Sequence, residues 1–202
     1  MPSANMPAVI LAGGRSQRMG VPDKCLLQIG SESMLSRIIA TLKPQVGSLL
    51  INSNSNPERF KDFDVPVRGD VLPGRLGPLA GVLTAMTWAK EIGYSHVVTV
   101  PGDVPFLPDD LIVRMKAAGQ YRRPVIVASG DRIHPTIGLW PVELAERLAQ
   151  SMNAGVARML VWCKIAGAVE LLYPTDNTAY FSNLNTMTDL ARAYACHGAN
   201  GR

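Results

Sequence analysis

Four stretches of this 202-residue sequence combine residue types suited to work on an anionic ligand. The first follows the apolar run Ala8-Val-Ile-Leu-Ala12. There Gly13 and Gly14 permit a tight turn and a close approach of backbone N–H groups to an anion. Arg15, Arg18 and Lys24 add positive side chains shortly after. The second is Pro101-Gly-Asp-Val-Pro-Phe106, with Asp103 just past the apolar stretch His96 to Val100. One carboxylate in that place suffices for magnesium, a hard cation that fills its other positions with phosphate and water. The third runs from Asp70 to Gly81 and contains Gly77-Pro-Leu-Ala-Gly81, small residues at a helix start that allow close packing or ligand approach. The fourth is Phe181-Ser-Asn-Leu-Asn-Thr186, followed by Asp189-Leu190. Alternation puts Asn183 and Asn185 on one side of an extended segment, and Thr186 or Thr188 can cap a final helix. Each stretch also has a plain structural alternative: a Gly-rich connection with solvated arginines (Arg75 included), a turn aspartate, a Gly-Pro helix start, and a polar strand-to-helix turn.

Strand-like and helix-like segments alternate, which predicts an α/β fold with a mainly parallel sheet. Ala8–Ala12, Leu49–Ile51 and His96–Val100 read as short buried strands. The second is stopped by Asn52-Ser-Asn-Ser-Asn56 and Pro57. Val125–Ala128, Thr136–Trp140 and Val169–Tyr173 read as further strands. Helical spacing of apolar residues predicts helices over Met34–Leu42, Leu79–Lys90, Asp109–Ala117, Val142–Met152, Val156–Cys163 and Met187–Tyr194. A glycine loop after the first parallel strand then falls at the carboxyl edge of the sheet, where open α/β folds bind ligands. His134, before Pro135, reads as a packed turn residue. Trp88, Trp140 and Trp162 read as core or half-buried.

A hydrophobic fraction of 47% and a charged fraction of 18% place the chain among ordinary globular proteins. No repeat or linker divides it, so we expect one domain over residues 1–202, with 1–6 and 197–202 frayed. The net charge of +4 suits an anionic small molecule, and the lack of a basic stripe or stacking aromatics disfavours nucleic acid. Cys25, Cys163 and Cys196 form no C-x-x-C pair and read as reduced thiols. Three histidines without ligand spacing argue against zinc, and no Ser-His-Asp or Cys-His arrangement is visible. The apolar run at the start is too short for a signal peptide or membrane span, so a soluble cytoplasmic protein is expected.

From Leu11 to Leu26 the sequence reads Leu-Ala-Gly-Gly-x-x-x-Arg-Met-Gly-x-x-Asp-Lys-x-Leu. This long signature resembles that of the sugar-phosphate and cofactor nucleotidyltransferases, and closely the version in the molybdenum cofactor guanylyltransferases. The resemblance extends to Leu190 and is weakest between Tyr121 and Gly167. It implies a three-layer, Rossmann-like nucleotidyltransferase fold. It implies that Leu11, Ala12, Gly13, Gly14 and Lys24 wrap the triphosphate, with Arg18 assisting. It assigns nucleotide contacts to Asn52, Asp70, Gly77, Gly81 and Asp103, and gives Asp103 the metal, Mg2+. Arg158, Asn183 and Asn185 match the pterin side.

The implied reaction joins GMP from GTP to the molybdopterin cofactor and releases pyrophosphate. The implied protein is a monomer that meets cofactor-delivery or acceptor proteins transiently. A cytidylyltransferase of the same pathway and a sugar-phosphate nucleotidyltransferase are the near alternatives. A non-catalytic nucleotide-binding regulator is the distant one, disfavoured by the intact Lys24 and Asp103.

Overall fold

A computed structural model of the chain describes residues 6–13, 23–72, 74, 77–120, 122–174 and 180–184. In chain order the elements are β1 (Pro7–Leu11), β2 (Gln28–Ile29), β3 (Glu32–Ser33), α1 (Met34–Leu42), β4 (Ser48–Asn52), β5 (Val67–Arg68), α2 (Pro78–Glu91), β6 (His96–Pro101), α3 (Leu111–Gly119), β7 (Val125–Ser129), β8 (Arg132–Pro141), α4 (Ala145–Asn153), α5 (Met159–Ala166) and β9 (Val169–Tyr173). Local chemistry sets several of their ends. Ser33 caps α1, its hydroxyl accepting from the Ser36 amide at 3.0 Å. Gly77, at φ 72°, makes the left-handed entry to α2, and Pro78 takes the first turn, where its missing N–H costs nothing.

The main sheet has the order β5-β4-β1-β6-β8-β7-β9. Every neighbouring pair is parallel except those made by β8, which runs antiparallel to both β6 and β7. Helices cover both faces, so the central strands are apolar throughout; Ala8, Val9 and Ile10 are all fully buried. On one face Leu35, Ile38 and Leu42 of α1 and Leu111 and Met115 of α3 pack against Ala8, Ile10, Val98 and Val100. On the other, Leu79, Val82 and Met86 of α2, Leu148 of α4 and Trp162 of α5 pack against Val9, Leu50, Val97 and Trp140. The result is the expected three-layer α/β arrangement. Trp140, inside it, donates its indole N–H to Thr99 Oγ1 at 2.8 Å, so its polar atom is satisfied.

The differences from the sequence reading are local. Met6, expected among frayed residues, is buried, and its carbonyl accepts the Gly47 amide at 3.1 Å. The helix expected from Val142 begins as a 3-10 turn over Val142–Leu144. The one expected from Val156 starts at Met159, after Gly155 at φ 92°. The one expected from Asp109 starts at Leu111. β8 extends back to Arg132, so His134 lies on a strand rather than in a turn. Among the described residues no helix is long and apolar enough to cross a membrane.

Candidate functional site

Because β1, β4, β5 and β6 are parallel, their last residues, Leu11, Asn52, Arg68 and Pro101, share one edge of the sheet. Backbone bonds knit the loops beyond that edge together. The Ala12 amide donates to Asn52 O at 2.8 Å, and the Gly102 amide to Leu11 O at 2.9 Å. Gly102 is needed there: a Cβ on it would lie 3.0 Å from Cys25 Cβ and 3.4 Å from Ala12 Cα. Sequence reasoning gave this glycine no role.

Asp103 follows immediately, and Lys24 Nζ lies 3.2 Å from its Oδ2, joining two residues 79 positions apart. Lys24 opens a 3-10 turn, Lys24–Leu26, anchored by buried Cys25. Burial, reinforced by the charge of Asp23, pushes the Cys25 thiol up to about 12, which favours its protonated form. Gly13 stands at the mouth of the crevice, exposed, with open space where a side chain would be.

A second polar cluster lies at the β4–β5 side. Asn52, 3% exposed, donates Nδ2 to Asp70 Oδ1 at 3.0 Å and to Arg68 O at 3.2 Å. Those bonds occupy both amide hydrogens and leave its carbonyl oxygen as an acceptor. That oxygen faces Gly81, where a Cβ would approach it to 2.7 Å. Gly81 thus sits behind Asn52 and leaves it room. Asn54 completes the cluster: its Nδ2 donates to Asp70 Oδ2 at 2.7 Å while its Oδ1 accepts the Asp70 amide at 2.8 Å. Sequence reasoning missed Asn54, taking it as part of a polar strand stop. Gly77, at the start of α2, again has open space around its missing Cβ.

The fourth stretch approaches Asp103 from the other side. The Leu184 amide donates to Asp103 O at 3.0 Å, and the Phe181 amide to Phe106 O at 3.1 Å. Asn183, between them, is exposed. Phe181, at φ 64°, packs edge-on to Tyr173 and against His134, whose Nε2 meets Ser129 Oγ at 2.8 Å. Burial, with Arg132 nearby, lowers the His134 pKa. Arg158 is exposed at the start of α5, and no hydrogen bond or ion pair joins it to the other site residues among those described. Gly14, Arg15, Arg18, Arg75, Asn185, Thr186, Thr188, Asp189, Cys196 and the helix expected at Met187–Tyr194 lie outside the described residues.

The donor set suits a hard divalent cation that brings its own ligands. Asp103 offers one part-exposed carboxylate, and the described residues hold no group of three or more His, Cys, Asp or Glu side chains able to cage a metal.

A family model described as the MobA-like NTP transferase domain matches residues 8–165. The chain belongs to this family. It is a nucleotidyltransferase. It is 43% identical over 185 residues to a molybdenum cofactor guanylyltransferase of Cereibacter sphaeroides, covering 92% of this chain and 93% of that protein. The fold is shared with molybdopterin-guanine dinucleotide biosynthesis protein A from Archaeoglobus fulgidus, at TM-score 0.74 and 18% identity over 96% of this chain and all of the other. It is shared too with Rv0371C from Mycobacterium tuberculosis, solved in complex with manganese, at TM-score 0.61 and 15% identity over 94% and 97% of the two chains. Nucleotidyltransferases of this family typically use a divalent metal. Within this MobA-like domain, the edge formed by Leu11, Asn52 and Pro101 brings together Lys24 and Asp103 and presents the Asn52–Asp70 pair beside them.

Proposed function

We propose that this MobA-like transferase is a molybdenum cofactor guanylyltransferase, moving GMP from GTP to molybdopterin. The observation that carries this reading is the meeting of Lys24 and Asp103 at 3.2 Å, on the edge that also presents the Asn52–Asp70 cluster. The terminal phosphate of the pterin substrate attacks the α-phosphorus of GTP, a new phosphoanhydride bond forms, the α–β bond breaks and pyrophosphate leaves. No protein nucleophile is needed, so the residues act by positioning and charge. Lys24 holds and neutralises the phosphates of the departing pyrophosphate, aided by backbone amides at Gly13. Asp103 holds Mg2+, which when bound supplies electrostatic activation of the α-phosphate. Asn183, with Arg158 and Asn185, faces the pterin.

The base preference rests on the acceptor capacity left at Asp70: each carboxylate oxygen takes one bond from an asparagine and has a second lone pair for a ring N–H. Guanine offers N1–H and N2–H donors side by side, and cytosine lacks that pair. An acceptor left unpaired on burial costs about 1–3 kcal/mol. The test is to incubate the purified protein with molybdopterin cofactor, magnesium and each nucleoside triphosphate separately and to identify the dinucleotide formed. GTP is expected to be the productive nucleotide; turnover with CTP equal to or above it would move the assignment to the cytidylyltransferases. Asn185→Ala is expected to raise the pterin requirement while leaving GTP affinity near normal, which titration of GTP into the variant reads directly.

A further inference from the structure

Asp23, the residue before Lys24, is the most deeply enclosed carboxylate near the site. Its side chain is 4% exposed, and its backbone is left-handed, at φ 58° and ψ 68°. A residue with a Cβ keeps that conformation only where its surroundings hold it. Here the holders come from the segment after β4. Ser55 Oγ donates to Asp23 Oδ1, and Arg59 Nε donates to Oδ2, across 32 and 36 residues. Arg59 lies in the 3-10 turn Pro57–Phe63, and its neighbour Phe60, 1% exposed, roots that turn in the core. On the near side the Asp23 carbonyl accepts the Leu26 amide at 2.9 Å and closes the turn that carries Lys24.

We propose that Arg59 is a positioning residue for nucleotidyl transfer: by clamping Asp23, with Ser55, it fixes the turn that aims Lys24 at the triphosphate. This rests on the reading of Lys24 as the phosphate-binding lysine. The clamp acts in two ways. It holds the left-handed entry to the turn, so Lys24 leaves the backbone in one direction. It also neutralises the Asp23 carboxylate. Without Arg59 that buried charge would lack its ion partner and compete for the ammonium group one residue along. With Arg59 in place, the Lys24 charge is directed to Asp103 and to phosphate.

The test measures pyrophosphate release and thermal melting for Arg59→Ala, Arg59→Lys, Lys24→Ala and the double variant Arg59→Ala/Lys24→Ala. Arg59→Ala is expected to lower kcat by on the order of tenfold, with a smaller change in the KM for GTP. Arg59→Lys should recover much of that loss, since an ammonium can still neutralise Asp23 though it lacks the guanidinium fork. In the Lys24→Ala background, removing Arg59 should cost little more, because a residue acting through Lys24 has nothing left to position. An equal loss in both backgrounds, or full activity of Arg59→Ala beside a crippled Lys24→Ala, would overturn the clamp. Near-normal turnover of Lys24→Ala would instead overturn the reading on which it rests. If Arg59→Ala fails to fold, Ser55→Ala, which removes one bond and no charge, carries the same background comparison.

Discussion

Two aspartates stand at the same edge of the sheet and are held in opposite ways. Asp70 is locked: Asn54 grips both its amide and Oδ2, and Asn52 donates to Oδ1. The next residue is tied down too, the Val71 amide donating to Thr84 Oγ1 at 2.9 Å. Asp103 is fixed through its backbone, by Leu184 on its carbonyl, while its carboxylate faces the ammonium of Lys24 at 3.2 Å. The difference matches the roles proposed for the two. A group that reads a base gains by having its acceptors aligned before the ligand arrives, because less ordering is left to pay at binding. A group that takes up a cation and phosphates must exchange partners, and a lysine on a flexible stem can move from carboxylate to phosphate.

The comparison breaks hardest at Asp103. Asp103→Asn keeps the shape of the side chain but removes the charge that pairs with Lys24 and that, in the proposed function, would hold the metal. Turnover is expected to fall on the order of a hundredfold or more. The melting temperature should move little, because the carboxylate is part-exposed. Near-normal pyrophosphate release by a folded variant would place the metal elsewhere.

Asn54→Ala sharpens the other side. It removes two bonds to Asp70, each worth about 0.5–1.5 kcal/mol. The kcat/KM for GTP should fall on the order of tenfold, chiefly through KM, and preference for GTP over ITP, which lacks the 2-amino group, should narrow. A uniform fall in kcat with unchanged base preference would mean that Asp70 does not depend on this lock.

A smaller effect belongs to His134, which supports Phe181 and so the approach of residues 180–184 to Asp103. Its pKa is lowered in the folded chain, first by burial and then by Arg132. As pH falls below the ordinary histidine value of 6.5, the unfolded chain therefore takes the proton first, and stability declines. Above that value the group contributes no slope. Melting curves should show this acid-side decline, and His134→Asn should flatten it while leaving the KM for GTP unchanged. An unaltered slope would assign the decline to other groups.

Much of the layout could be read from the amino acids alone. Met34–Leu42 and Val169–Tyr173 have the bounds their periodicity predicts, and β1, β4 and β6 differ from expectation by a residue or so at their ends. The two-residue strands β2, β3 and β5 were not legible, since two residues carry no period. Nor was the reversed direction of β8, because its buried half, Ile137 to Pro141, has the same apolar composition whichever way the strand runs. The singled-out residues Lys24 and Asp103 were legible, yet their direct contact was not, since 79 residues separate them. Asn54, Ser55 and Arg59 were lost for a physical reason: a polar run after an apolar strand looks the same whether it is solvated or folded back on an aspartate.

The place of β8 in the sheet also bears on how the chain is made. Every described residue of the two polar clusters lies before Val104, so a growing chain contains both clusters when barely half of it exists. At that moment β6, with its core of Val97 to Val100, is an open edge, because its neighbour on that side is β8, not completed until Pro141. An apolar strand with unpaired amides and carbonyls is a template for wrong pairing. The emerging protein therefore passes through an interval in which both polar clusters are present and the apolar edge of β6 is uncovered. The hairpin formed by β7 and β8 ends that interval by sealing β6 from the far side.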